Sequence, residues 1–175
     1  MLSVSVLLSC TNSDDPVIFF EHKTLYGLQG DVPEGDYLVP FGKARIVSEG
    51  NDCTLVATGR MVSFCEDAAN ALSADGITCD IIDPRTTSPL DEDAILDSVE
   101  KTGRLIVVDE TPPRCSFAAD VAALAASEVF SSLKAPIKTV TGPHSPVPFA
   151  KELETAFLPS PVKIKTVIEQ TVNFS

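Results

Sequence analysis

The nine residues Thr54–Val62, TLVATGRMV, constrain this chain more than any other stretch. A short apolar strand, Leu55-Val56-Ala57, stops at Gly59. A helical pattern then takes over, with Met61, Phe64, Cys65, Ala68 and Leu72 at its small and apolar positions. An unalternating apolar run needs cover on both faces, whereas a 3.6-residue period needs it on one. A switch between the two across a single glycine reads as a βα unit.

The chain repeats this move. The first helix ends at Asp75-Gly76, and Ile77–Asp83 (ITCDIID) is the next strand. Ser88-Pro89-Leu90-Asp91 reads as a helix start, with Ser as N-cap, Pro at N1 and an acid at N3. That helix carries Leu90, Ile95, Leu96 and Val99 and ends at Lys101-Thr102-Gly103. Arg104–Glu110 (RLIVVDE) is a strand covered on both faces. A third helix begins near Ser116, carries Phe117, Val121, Leu124, Phe130 and Leu133, and is ended by Pro136. Ile137–Thr141 is the last strand, followed by a proline-stiffened loop, Gly142–Pro148, and a final helix starting at Ser160-Pro161 with Ile164, Val167, Ile168 and Val172 on one face. Before the repeat, Ala44–Val47 (ARIV) is a short strand. Strands alternating with helices predict an α/β fold, a mostly parallel sheet with helices on both faces.

Two further segments lie upstream. PVIFF, residues 16–20, is a continuous apolar run that reads as a buried strand, and Gly27–Gly35 (GLQGDVPEG) reads as a linker. The expected organisation is therefore residues 1–26 as the end of another domain, 27–40 as a linker and 41–175 as the main domain. The N-terminal MLSVSVLLSC lacks a positive region and is too short to span a membrane, so export is not expected. A membrane is not an expected partner.

Composition excludes one class of partner outright. Asp and Glu number 25 against 13 Lys and Arg, a net charge of −12 with no basic cluster, so a phosphate backbone is repelled over most of the surface. Nucleic acid is not the partner. Five cysteines, odd in number, spread out and without a C-x-x-C, read as small buried hydrophobes in a reducing cytoplasm.

Sheets of this kind bind ligands at the carboxyl ends of their strands. Those ends carry Thr58-Gly59, Asp83-Pro84-Arg85, Asp109-Glu110 and Gly142-Pro143-His144. Asp83 and Asp109 could share a Mg²⁺, but acids in solvated loops are the commoner reading. No G-x-G-x-x-G and no G-x-x-x-x-G-K-[ST] exists, so nucleotide binding has no support. A nucleophilic pair would require His144 to meet Cys115 or Ser116, which nothing in the spacing demands. The Asp91-Glu92-Asp93 block complements a helix dipole. No catalytic constellation emerges from the residues.

Several segments together resemble one family: FFEHKTLYG (Phe19–Gly27), VPEGDYLVPFGKARIV (Val32–Val47), IIDPRTTSPLDEDAIL (Ile81–Leu96), RLIVVDE and VTGPHSPVPF (Val140–Phe149). The chain is similar to the β subunit of thiamine-diphosphate-dependent E1 enzymes of 2-oxo acid dehydrogenase complexes. PPRCSFAADVAAL, SLKAP and PHSPVPF most resemble the acetoin dehydrogenase branch. The resemblance implies a three-layer α/β/α domain like the transketolase C-terminal domain, with a mixed five-stranded, mostly parallel sheet. Ala44–Val47 would be its antiparallel strand, Thr54–Ala57 would lie mid-sheet, and PVIFF would end a pyrimidine-binding domain that is otherwise absent.

In that family the Glu that activates the cofactor and an active-site His lie in the missing domain, and the α subunit holds the diphosphate through Mg²⁺. No catalytic, cofactor-binding or metal-binding residue therefore carries over, and the chain is expected to be inactive alone. The poor fit of the first ten residues implies a truncated or mis-started reading frame. Thiamine diphosphate and Mg²⁺ would belong to the complete enzyme. Implied partners are the E1 α subunit, a second β subunit and the subunit-binding domain of E2, with Arg114, Phe117, Lys134, His144, Phe149, Glu152 and Phe174 as interface candidates. The competing expectation is a free-standing α/β domain that takes a small anion at its strand ends, near Gly59, Asp109 and His144.

Overall fold

A computed structural model describes residues 16, 18, 21–27, 29 and 38–174. Five strands form one sheet: β1 (Arg45–Ser48), β2 (Cys53–Ala57), β3 (Cys79–Asp83), β4 (Leu105–Val108) and β5 (Lys138–Val140). Five helices follow the same chain order: α1 (Arg60–Ser73), α2 (Glu92–Thr102), α3 (Phe117–Glu128), α4 (Lys151–Phe157) and α5 (Pro161–Val172). The strand order is β1-β3-β2-β4-β5, with β1 antiparallel to β3 and all other pairings parallel. The expected α/β fold is what the chain adopts, including the antiparallel first strand and the central place of Thr54–Ala57.

Period-two geometry divides the central strands between two cores. Leu55, Ala57, Ile81, Ile106 and Val108 face α1 and α5, meeting Met61, Cys65, Ala68, Leu72, Ile164 and Ile168. Val56, Ile82, Leu105 and Val107 face α2 and α3, meeting Ile95, Val99, Ala118, Val121 and Ala125. The sheet is thus the middle of three layers, which is why β2, β3 and β4 are buried at every position and carry no alternation.

Helix boundaries differ from expectation in three places. α2 starts at Glu92, with Asp91 rather than Ser88 at its N-cap. The Ser88–Leu90 segment is held as a turn: Thr86 Oγ1 donates to the Pro89 carbonyl, and the Pro89 ring lies against Gly42. Asp91 makes no cap bond because its carboxylate accepts from the Ala44 N–H, 2.8 Å away, and so ties β1 to α2. α3 ends at Glu128, well before Pro136, and a 3₁₀ turn over Phe130–Ser132 leaves Phe130 73% exposed instead of on the core face. α4 is a helix that the proline-rich sequence around it concealed. The start of α5 is as read: Ser160 caps it by accepting from the Lys163 N–H, and Pro161 occupies the first turn.

Of PVIFF only Pro16 and Ile18 lie within the described residues, and both are exposed and outside any strand. The strand expected there otherwise falls outside the described residues, as do Cys10 and most of the linker. Lys23–Gly27 forms a 3₁₀ turn with no buried residue. It meets the domain where His22 Nε2 lies 3.0 Å from Glu110 Oε1 at the end of β4.

Candidate functional site

The carboxyl ends of β2, β3 and β4 open into a cleft of about 420 Å³. Sheet order explains why it is there. The chain leaves β2 through α1 towards β3 on one side, and leaves β4 through α3 towards β5 on the other. The two connections diverge, and the gap between them is the crevice where such sheets take ligands.

Each wall is a strand-to-helix turn. Gly59 follows β2 with φ 56 and ψ −127, a conformation that only glycine adopts readily, and a side chain there would meet nothing within 4 Å. It opens α1 without any side-chain cap, and no acid lies in the first turn. Asp83 ends β3 and is buried; its Oδ1 accepts from the Arg85 N–H at 3.1 Å. Burial pushes its carboxyl above the ordinary value, against the opposing pull of that bond and of the nearby Arg85 and Arg45 charges. Arg85 itself has φ 62, and its Nε is enclosed without a hydrogen-bond partner.

Asp109 ends β4 at 3% exposure, and its oxygens are occupied. Oδ1 accepts from the Thr111 N–H at 3.0 Å, while Oδ2 accepts from Thr111 Oγ1 at 2.7 Å and lies 3.4 Å from the Ala118 N–H. Asp109 therefore closes the turn and anchors the start of α3. Ser116 caps α3 by accepting from the Ala119 N–H, and its own hydroxyl lies 3.4 Å from the Pro113 carbonyl. Its oxygen is committed to structure, not to a pair with His144, which sits on the exposed loop beyond β5. Among the described residues no three His, Cys, Asp or Glu side chains converge as a metal site. The cleft offers only two carboxylates, Asp83 and Asp109, and Asp109 already accepts from Thr111, so the residues present do not make a ligand set that fits a diphosphate-bound Mg²⁺.

The seven interface candidates lie in three places: at the strand-end cleft, at the opposite end of the sheet, and at the start of α4. Arg114 and Phe117 line the strand-end cleft, with Phe117 also half-buried against the α2–α3 core. His144 follows β5 at the same end. Lys134 lies at the other end: its side chain covers Gly103 just before β4, and its Nζ is 3.4 Å from the Thr102 carbonyl. Phe174 belongs with Lys134, because the end of α5 is tied to Arg104 there. Arg104 Nε and Nη2 donate to the Thr171 and Val172 carbonyls at 3.2 and 3.3 Å. Phe149 and Glu152 flank the start of α4; Phe149 is fully exposed, beside exposed Val147 and Leu153.

Sequence reasoning missed a buried polar chain beneath the amino ends of the strands. Asp80 accepts from the Gly50 N–H at 2.7 Å, from Ser98 Oγ at 2.6 Å and from Lys101 Nζ at 2.7 Å. Ser98 spends its one proton on the carboxylate, so Thr54 must donate to Ser98 across 2.8 Å. Thr102 completes the chain 2.8 Å from Thr54. Thr54, the lone polar residue of β2, and Asp80, an acid inside the apolar run of β3, were the available signals.

The profile of the "Transketolase, C-terminal domain" family matches residues 42–164. The β subunit of acetoin:2,6-dichlorophenolindophenol oxidoreductase from Bacillus subtilis (strain 168) is 54% identical over 93% of this chain and 47% of its own length. The corresponding subunit from Cupriavidus necator is 49% identical over 95% of this chain and 49% of its own length. The pyruvate dehydrogenase E1 component subunit beta of Rickettsia felis is 41% identical over 97% of this chain and 52% of its own length. The chain thus spans about half the length of the curated relatives it matches. Among solved structures, a split-gene transketolase described as an inactive β4 tetramer superposes with a TM-score of 0.69 at 22% identity, covering 82% of this chain and 45% of that one. That likeness concerns the fold.

Proposed function

The chain belongs to the transketolase C-terminal domain family, and we propose that it is the C-terminal domain of an acetoin- or pyruvate-type E1 β subunit, serving subunit assembly and the docking of E2. The identity to the acetoin-branch β subunits, running across nearly the whole chain, carries this reading. Residues 1–26 are the end of a preceding domain, 27–40 a linker and 41–175 the assembly domain. Its partners are the E1 α subunit, a second β subunit and the E2 subunit-binding domain, in the cytoplasm.

The chain is inactive alone. Thiamine diphosphate and Mg²⁺ supply the decarboxylation chemistry in the complete enzyme, and the strand-end residues here do not suit that pair. What this chain offers is surface. Phe149, Val147 and Leu153 are exposed apolar side chains around α4, with Glu152 beside them, while Phe174 and Lys134 stand at the far end. Apolar groups left in water at this density mark places where another chain packs.

Calorimetric titration with the E2 subunit-binding domain of the same organism tests the reading. Binding of one E2 domain per two chains is expected, weakened in Phe149→Ala or Phe174→Ala while both variants unfold at the wild-type temperature. A folded chain that binds neither E2 nor α subunit refutes the assembly role. Decarboxylation by the purified chain with thiamine diphosphate and Mg²⁺ refutes its inactivity.

A further inference from the structure

We propose that His22 and Glu110 form a latch that pins the upstream chain to the carboxyl end of β4, fixing where a preceding domain joins this one. The inference rests on the reading of residues 1–26 as the end of such a domain. The two side chains are 88 positions apart, and His22 Nε2 lies 3.0 Å from Glu110 Oε1. Among the described residues this is the one hydrogen bond that joins residues 21–27 to residues 45–174. The segment has no fully buried member, and only His22 and Leu25 are half-buried. A single polar contact therefore carries much of the attachment.

Both halves of the latch are set in advance. On one side, the Leu25 N–H donates to the His22 carbonyl at 2.9 Å and closes the 3₁₀ turn, which the Tyr26 hydroxyl braces by donating to Glu21 Oε2 at 2.8 Å. Thr24 Oγ1 lies 2.8 Å from His22 Nδ1 and holds the ring from behind. A carboxylate only accepts, so Nε2 carries the proton that faces Glu110, and Thr24 donates to Nδ1 of the neutral ring. On the other side, the backbone around Glu110 is clamped to the end of β5. The Asp109 N–H donates to the Val140 carbonyl at 3.0 Å, and the Gly142 N–H to the Thr111 carbonyl at 3.2 Å. Neither partner has to be ordered at the moment of contact, so little entropy opposes it. Farther along, the Gly42 N–H donates to Thr86 Oγ1 at 2.9 Å, just beyond β3. The incoming chain is thus held at two points of the same sheet end, beside β4 and beside β3.

Limited trypsin digestion of the folded chain reads the latch through the Lys23–Thr24 bond, since cleavage there tracks how often the turn opens. Glu110→Ala leaves the sequence around that bond untouched. It is expected to speed release of the fragment beginning at Thr24 by about 2- to 10-fold, as is His22→Ala. The double variant should be no faster than either single one. His22→Gln, whose side-chain NH₂ can stand where Nε2 stands, should regain most of the protection. The melting temperature should stay at the wild-type value in every variant, because the latch lies outside both cores. Unchanged cleavage in both alanine variants, or effects that multiply in the double variant, overturns the latch. So does faster cleavage accompanied by a lower melting temperature, because the domain itself would then be opening. The E2 titration is a separate readout, so failure of the latch and failure of the assembly role are told apart.

Discussion

Replacing Asp80 tests the buried polar chain, and two replacements should separate its hydrogen bonds from its charge. In Asp80→Ala the Gly50 N–H, buried at the entry to β2, loses its acceptor. Leaving such a donor unsatisfied costs about 1–3 kcal/mol. The hydroxyls escape this penalty, because the chain can reverse: Ser98 donates to Thr54, Thr54 to Thr102, and Thr102 to the Arg104 carbonyl 3.1 Å away. Lys101 has a side chain 44% exposed and can rehydrate, so its lost partner costs little. Adding a small void at the carboxylate position gives about 2–4 kcal/mol in total. Asp80→Asn behaves differently. Its amide oxygen still accepts from Gly50, and its NH₂ donates to Ser98 once the hydroxyls reverse, so about 1 kcal/mol is lost. Urea unfolding at neutral pH, read at constant m-value, measures both. If Asn costs as much as Ala, the charge matters and the hydrogen-bond account is wrong; if Ala costs under about 1 kcal/mol, Gly50 was never dependent on Asp80.

Three further outcomes follow from named contacts. Arg104→Met keeps the side-chain stem but removes the donors at the end of α5, so stability should fall by about 1.5–3 kcal/mol, with faster amide exchange in the last turn of that helix. Asp83 has a folded-state pKa raised by burial, so its contribution is fully present below the ordinary carboxylate range and is lost as pH rises through the raised value. Asp83→Asn keeps the acceptor for the Arg85 N–H, so denaturation midpoints should exceed wild type near pH 7 and converge with it at acid pH. Burial raises the thiols of Cys53, Cys65 and Cys79, the last to about 12, whereas Cys115 is exposed. Alkylation of the native chain followed by peptide mapping should modify Cys115 and spare those three until denaturant is added.

Most of the fold was legible because its signals are local. The apolar runs at Leu55–Ala57, Ile81–Ile82 and Leu105–Val108 need no partner to be recognised as doubly covered strands. Ser116 and Ser160 cap their helices as the flanking residues suggest, since a cap bond spans only three residues. The misplaced start of α2 has a long-range cause. Ser88-Pro89 has the composition of a helix start, but Thr86 and Gly42 hold it as a turn, and Asp91 spends its carboxylate on Ala44, 47 positions away. Local preference yielded to a bond between distant segments. α4 was hidden for the opposite reason, a helix of seven residues among prolines with little periodicity to show.

The interface candidates mark the same limit. Lys134 and Arg114 lie at opposite ends of β4, a separation that their sequence spacing does not reveal. The unpaired nitrogen of Arg85 left no trace in composition or spacing. The sequence by itself therefore determined the layers, the strand-helix alternation and the sign of the surface charge, all of which depend on short-range periodicity and composition. Only the tertiary structure decided which polar groups are satisfied and which are enclosed without a partner, because hydrogen-bond partners are assigned across the fold.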